Sequence, residues 1–158
     1  MSDHADLVTQ RNLANARRFV EGVLGGADPD AFDAVVHPEI VVETGLKPVG
    51  RIHGAAEYGA VLGSTLGSAF ANGAMHIEDI APLADGRVIL IFEASADNVG
   101  DLNGIAATNR RFTFREIHLM RFDDAGLLVE NIVGALNPLM YEMWQAPVIA
   151  PAVLGGEA

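Results

Sequence analysis

The sequence has no cysteine among its 158 residues. This absence excludes disulfide bonds, zinc–thiolate sites and thiol nucleophiles. Basic residues are also scarce, since 10 Lys and Arg stand against 21 Asp and Glu and leave a formal net charge of −11. Nucleic-acid binding depends on Lys and Arg that contact phosphate groups. We therefore expect no nucleic-acid partner.

Long hydrophobic runs are missing too. No apolar stretch approaches the ~20 residues that cross a bilayer, and residues 1–6 lack the basic and then apolar pattern of a signal peptide. We therefore expect a cytoplasmic protein that does not bind membranes. Half of the residues are hydrophobic and 20% are charged, which excludes a disordered chain. The length predicts a single domain over residues 1–158, with residues 147–158 as a C-terminal extension.

Hydrophobic periodicity separates the chain into a helical part and a strand part. Helices are predicted over residues 7–24, about 29–37 and about 55–71, with a short strand over 40–44 and a loop over 45–54. Beyond Gly73 the period changes from that of a helix to that of a strand. Strands are predicted over residues 76–83, 87–97, 110–122 and 127–136, and a short helix from Asn137 to Trp144. This order favours an α+β fold.

The strand over residues 110–122 carries the candidate chemistry. Its alternation places a Phe-rich set on one face, which is therefore predicted to be buried. Glu116 and His118 share that face, and burying both is costly unless they are paired or used. Glu130 lies on the next strand, but periodicity does not decide which face of that strand points inward. The residues predicted to line a substrate pocket are Phe92, Phe112, Phe114, Met120 and Ile132.

The order of elements resembles that of the nuclear transport factor 2-like superfamily. The segment from Val99 to Phe112 is similar to the Gly-[acid]-x-x-Gly-Ile-Pro-Pro-Thr-Gly-[Arg/Lys] stretch of its SnoaL-like polyketide cyclase branch, and the likeness continues through residues 117–122 and 130–132. The resemblance implies a cone-shaped α+β barrel, in which three N-terminal helices pack on a strongly curved, mostly antiparallel sheet around a hydrophobic pocket. It also implies a homodimer formed through the outer face of the sheet, where Ile117 and Leu119 interrupt a polar surface.

One departure from that branch affects the chemistry. The cyclases carry an acid/base aspartate after a tryptophan on the last strand, whereas residues 132–136 here have no ionisable group. Their aldol-type ring closure therefore cannot simply be carried over. His118 is implied as a functional group instead, because ketosteroid-isomerase-like relatives place an acid at this point of the strand.

Three functions stay open from the sequence. The first is a cofactor-independent enzyme that cyclises, isomerises or dehydrates a hydrophobic carbonyl metabolite such as a polyketide. His118 would donate or relay a proton, while Glu116 or Glu130 would set its tautomer. The second is a non-catalytic binding or templating protein, and the third is an epoxide hydrolase. No metal-ligand spacing is present and no segment resembles a phosphate-cradling or dinucleotide-binding motif, so neither a metal nor a cofactor is expected.

A structural role for the same residues is the alternative. His118 would then be a core histidine and Glu116 a partner of a nearby arginine. If His118 is catalytic, His118→Ala is expected to slow turnover and to leave the melting temperature nearly unchanged. If His118 is structural, the same variant is expected to lose stability instead.

Overall fold

The computed structural model describes residues 2–137. The helices are α1 (Ser2–Arg18), α2 (Ala31–Val35) and α3 (Ala55–Ala69), and a π-helix (Phe19–Leu24) continues α1. The strands are β1 (Val36–Thr44), β2 (Lys47–His53), β3 (Phe70–Pro82), β4 (Val88–Asn98), β5 (Arg111–Phe122) and β6 (Leu128–Ala135). The helix predicted up to Trp144 and the extension over 147–158 lie outside the described residues, apart from Asn137.

The six strands form one sheet in the order β2-β1-β6-β5-β4-β3. Every neighbouring pair is antiparallel except β1 and β6, which run parallel. Within residues 2–137 the sheet is open, with β2 and β3 at its edges. Helices α1 and α3 contact it. The predicted α+β cone with N-terminal helices packed on a mostly antiparallel sheet is confirmed.

Two element predictions need correction. The segment over 45–54 was expected to be a loop, but residues 47–53 form β2, which pairs with β1 alone. Its Pro48 and Gly50 are typical of turns, yet an edge strand accommodates proline because one side makes no ladder hydrogen bonds. Strand β3 also begins at Phe70 instead of His76, directly after α3.

The main core lies between the helices and the inner face of the sheet. Strand β5 alternates as predicted, with Glu116, His118 and Met120 buried and Arg115 and Arg121 exposed. The largest fully buried side chains of this core are Tyr58, Phe19, Phe92, Ile40, Ile52, Leu90, Met120 and Leu128. No helix among residues 2–137 is long and apolar enough to cross a membrane.

A bulge in β6 decides which of its faces points inward. Arg121 of β5 pairs with Glu130, but the next residue, Phe122, pairs with Leu128. Val129 is therefore an extra residue, and such a residue resets the alternation of a strand. As a result Leu128 and Asn131 are both fully buried although three positions separate them. The question that the sequence left open is thus decided in favour of the face that carries Asn131.

Candidate active site

An apolar cavity of about 250 Å³ lies between α3 and the inner face of the sheet. Its titratable lining residues are Tyr58 of α3 and Glu116 and His118 of β5. The remaining polar side chains on its wall are those of Thr44, Asn72 and Ser95. The larger apolar side chains that line it are Leu24, Leu46, Leu62, Leu66, Phe70, Met75, Phe92, Phe114 and Val133. Such a cavity, largely apolar with a few convergent polar groups, is typical of a small-molecule site.

Glu116 and His118 form a buried pair on the cavity wall. Because alternate residues of a strand point to the same face, their side chains lie side by side. His118 Nε2 is 3.3 Å from Glu116 Oε2, within reach of a weak hydrogen bond. His118 is 2% exposed and Glu116 is 7% exposed. Thus the pairing predicted from the sequence is present in the structure.

The other ring nitrogen of His118 faces the amide of Asn131. His118 Nδ1 lies 3.1 Å from Asn131 Nδ2 and 3.2 Å from Asn131 Oδ1. Asn131 Nδ2 also donates a hydrogen bond to the Tyr58 hydroxyl at 3.3 Å. A continuous buried chain therefore runs from Tyr58 through Asn131 and His118 to Glu116. Among the described residues, no buried side-chain nitrogen or oxygen lacks a hydrogen-bond partner.

Aromatic rings hold this chain from both sides. The ring centroid of His118 lies 5.3 Å from that of Phe92 and 6.2 Å from that of Phe19. Phe19 also stacks on Tyr58 at 6.1 Å. These contacts leave the imidazole little freedom to rotate and exclude water from its faces.

Burial also sets the ionisation of Tyr58. The loss of solvent raises the pKa of the Tyr58 hydroxyl well above its ordinary value, and the hydrogen bond from Asn131 and the negative charge of Glu116 act in opposite directions on it. Tyr58 therefore keeps its proton and remains neutral at physiological pH. The ring supplies a fixed hydroxyl rather than a charge.

The predicted site residues lie on the cavity wall, in the interior away from the cavity, or on the outer face of the sheet. Phe92 and Phe114 line the cavity together with Glu116 and His118. Met120 is fully buried in the main core, and Phe112 packs against a smaller cluster that contains Ala69 and Leu102. Both point inward as expected, but neither is among the residues that line the cavity.

Glu130 and Ile132 lie on the outer face of the sheet. Glu130 Oε2 accepts a hydrogen bond from Arg121 Nε at 3.0 Å. Glu130 and Ile132 both border a depression in the outer surface that is separate from the cavity. The bulge at Val129 explains this placement, because it turns Asn131 instead of Glu130 toward His118. The structure therefore does not bring Glu130 to the Glu116–His118 pair.

Tyr58 and Asn131 were missed by the sequence reasoning. Asn131 gave one signal, since it is a polar residue within an apolar strand. Tyr58 gave none beyond its place on a predicted helix, because its contact with β6 joins residues 73 positions apart. Among residues 2–137, no group of three or more His, Asp or Glu side chains is arranged to hold a metal ion.

A mixed sheet covered on one face by helices, with an apolar cavity between them, is the architecture of the cone-shaped, nuclear transport factor 2-like α+β proteins. Within that class, residues 16–131 match the SnoaL-like domain, and the chain belongs to this family. A search of curated protein sequences finds no significant match to the chain.

Solved structures support the same fold. A candidate SnoaL-like polyketide cyclase from Jannaschia sp. CCS1 superposes with a TM-score of 0.73 at 15% identity, covering 87% of this chain and 94% of its own. A candidate polyketide cyclase from Acidithiobacillus ferrooxidans gives 0.69 at 18% identity, covering 87% and 96%. IdmH, a candidate polyketide cyclase from Streptomyces antibioticus, gives 0.66 at 18% identity, covering 87% and 99%. At these identities the likeness establishes the fold.

Proposed function

We propose that the protein is a cofactor-independent enzyme that moves a proton on a hydrophobic, carbonyl-containing metabolite such as a polyketide. The reaction belongs to the class of cyclisation, isomerisation or dehydration. The observation that carries this proposal is the Glu116–His118 pair, buried on the wall of an otherwise apolar cavity. A carboxylate and an imidazole in a water-poor cleft are typical of proton transfer rather than of structural support.

The absence of Lys and Arg from the described cavity wall favours neutral molecules as substrates. None of the described residues that line it is Lys or Arg, and its one acidic group is Glu116. The chain as a whole carries a formal charge of −11. A phosphorylated or carboxylated substrate would therefore be repelled without a compensating cation, whereas a neutral ketone or enone would not.

Glu116 is the group that we assign to the substrate. Both ring nitrogens of His118 already face protein side chains, so His118 acts on the substrate through Glu116. The side chain of Glu116 is also the more accessible of the two, at 9% exposure against 2%. From the sequence, His118 was expected to transfer the proton, with Glu116 either orienting the imidazole or acting as the base itself; the present assignment takes the second of these roles for Glu116.

The proposed step is removal of a proton from the carbon next to the carbonyl. The Glu116 carboxylate takes the proton, the C–H electron pair forms the enolate, and His118 Nε2–H donates to the same carboxylate throughout. Glu116 then returns the proton to another carbon in an isomerisation or to a leaving hydroxide in a dehydration. In a cyclisation, the enolate carbon attacks a second carbonyl of the same molecule and the proton goes to the new alkoxide.

Two other functions have less support. Epoxide hydrolysis in this superfamily uses an Asp-Arg-Asp arrangement, and the described lining of the cavity contains neither residue type. A non-catalytic binding protein would use the same cavity without proton transfer. That function is an outcome of the test below.

The test is exchange of α-protons for deuterium. A panel of neutral, hydrophobic ketones and 1,3-diketones is incubated with the protein in D₂O, and deuterium uptake is followed by NMR. We expect faster uptake than in buffer for at least one member, and Glu116→Gln to slow it by ~10²–10⁴-fold, the usual contribution of a general base.

Glu93→Gln is the matched control. It removes a carboxylate from β4, the neighbouring strand, but its side chain is exposed on the outer face of the sheet. This variant should exchange at the wild-type rate. Ligands that bind the wild-type protein, seen as NMR shifts of the cavity residues, but never exchange would contradict the proposal and indicate a binding protein.

A further inference from the structure

We propose that Asn131 is a positioning residue that keeps the His118 ring hydrogen-bonded in both of its protonation states. This inference rests on the proposed function and deepens it, because the proposed step uses the neutral His118 ring, in which Nε2 carries the proton that is donated to Glu116 and Nδ1 carries none. With Asn131 in place, the ring keeps one orientation in this form and in the protonated form, without any side chain moving.

The geometry that supports this role is the double contact with one nitrogen. Asn131 Nδ2 and Oδ1 lie 3.1 and 3.2 Å from His118 Nδ1. An amide nitrogen can only donate a hydrogen bond and an amide oxygen can only accept one. When Nδ1 carries no proton it accepts from Nδ2, and when it carries one it donates to Oδ1. Both partners are at hydrogen-bonding distance in the same conformation.

The amide is itself held in place from outside the pair. Its nitrogen donates to the Tyr58 hydroxyl of α3, and the Asn131 side chain is fully buried on β6. Tyr58 in turn packs against Phe19 and Phe32. A buried amide is more costly at this position than an apolar side chain unless its hydrogen bonds are used. The hydrogen bond to Tyr58 of α3 thus holds the Asn131 amide in the orientation in which it faces His118.

Among residues 2–137, few other groups influence the ring. The titratable groups near it in this part of the chain are Glu116 from β5 and, through Asn131, Tyr58 from α3, and Tyr58 stays protonated. From β4 and the π-helix it meets the rings of Phe92 and Phe19, which carry no charge. A substitution of Asn131 should therefore directly change the pH at which His118 Nδ1 gains its proton.

The experiment follows the ¹⁵N shifts of the His118 ring in the uniformly labelled protein over the pH range in which it stays folded. In the wild type, Nδ1 should pass from the non-protonated to the protonated range as the pH falls. Asn131→Asp leaves only acceptor oxygens, so the midpoint should move to higher pH. Asn131→Leu keeps the approximate volume but removes the acceptor for the protonated ring, so the midpoint should move to lower pH.

Asn98→Asp is the control for adding a buried charge. Asn98 is 1% exposed at the far end of β4, where its side chain binds Ala69, Gly100 and Thr108. Its substitution should leave the His118 midpoint unchanged. Midpoints that move in the same direction in both Asn131 variants, or a wild-type Nδ1 that never changes protonation, would overturn the inference.

The spectra need no substrate, so they separate the two proposals. If no ketone exchanges in the wild type, the proposed function fails while the spectra still decide the role of Asn131. If exchange occurs, Asn131→Leu should lower its rate by at least ~10-fold, part of the ~10²–10⁴-fold that acid–base catalysis contributes, and shift the pH profile in the direction of the Nδ1 midpoint. An unchanged profile together with unchanged spectra would contradict the positioning role.

Discussion

His118→Ala is expected to destabilise the fold as well as to slow turnover. The ring is 2% exposed and packs against Phe92 and Phe19. Both of its nitrogens have side-chain partners, Glu116 and Asn131. Truncation to a methyl group therefore removes a packed ring and leaves two buried polar groups each short of one hydrogen bond.

The magnitude follows from these two losses. Truncating a buried aromatic residue to Ala costs ~3–5 kcal/mol, and the smaller, more polar imidazole belongs at or below the lower end of that range. A buried polar group without its partner costs a further ~1–3 kcal/mol. With ~3 kcal/mol for the ring and ~1–3 kcal/mol for each of the two polar groups, the sum is ~5–9 kcal/mol, and each kcal/mol lowers Tm by ~2–4 °C in a domain of this length. We expect Tm to decrease by at least ~10 °C, in place of the small change that the sequence analysis expected for a catalytic His118.

Thermal and urea unfolding monitored by circular dichroism measure this loss. His76→Ala is the control, since His76 is exposed on β3 and its removal should change Tm little. A His118→Ala protein that melts within about 2 °C of the wild type, well below the ~2–4 °C per kcal/mol applied to the summed losses, would refute the reasoning. It would mean that the ring is neither packed nor hydrogen-bonded as described.

Two further predictions address ionisation and assembly. Because burial holds the pKa of Tyr58 above its value of ~10 in the unfolded chain, the stability that Tyr58 contributes is complete below that pH and is lost as the pH rises further. The urea midpoint should therefore fall less between about pH 9 and 11 in Tyr58→Phe than in the wild type, and parallel curves would contradict the assignment. On the outer face of the sheet, Ile91, Ile117 and Gly134 form one cross-strand row and Ile89, Leu119 and Ile132 the next. We propose that this face joins two copies of the chain; light scattering should show a dimer that Leu119→Lys converts to a monomer, and a monomeric wild type would refute it.

The sequence was sufficient to predict the part of the site that lies on a single strand, β5. On β5, four apolar residues share a face with Glu116 and His118, and they alternate with a set that includes three arginines, so the pattern places Glu116 and His118 together on the buried face without further information. A hydrophobic face of this kind specifies both the strand and its register. The pairing of the two candidate residues could therefore be predicted.

The rest of the site depends on contacts between distant elements. The face of β6 follows from a bulge that is visible only against its partner strand, since Val129 itself is an ordinary strand residue. The hydrogen bond between Asn131 and Tyr58 requires the packing of α3 on the sheet. Glu130 was predicted at the site and Asn131 was not because the sequence of β6 is apolar on both faces.

The hydrogen-bond chain from Tyr58 to Glu116 affects how this cavity discriminates between small molecules. Its titratable groups, Tyr58, His118 and Glu116, are joined to one another through Asn131, and most of its wall among the described residues is apolar, so it offers an incoming molecule few directional contacts. In such a wall one methylene more or less changes affinity by only ~1–3 kcal/mol. Neutral ketones of similar size should therefore occupy it with similar affinity. Discrimination then arises from reactivity, because a bound molecule reacts only if it presents an acidic C–H bond to Glu116.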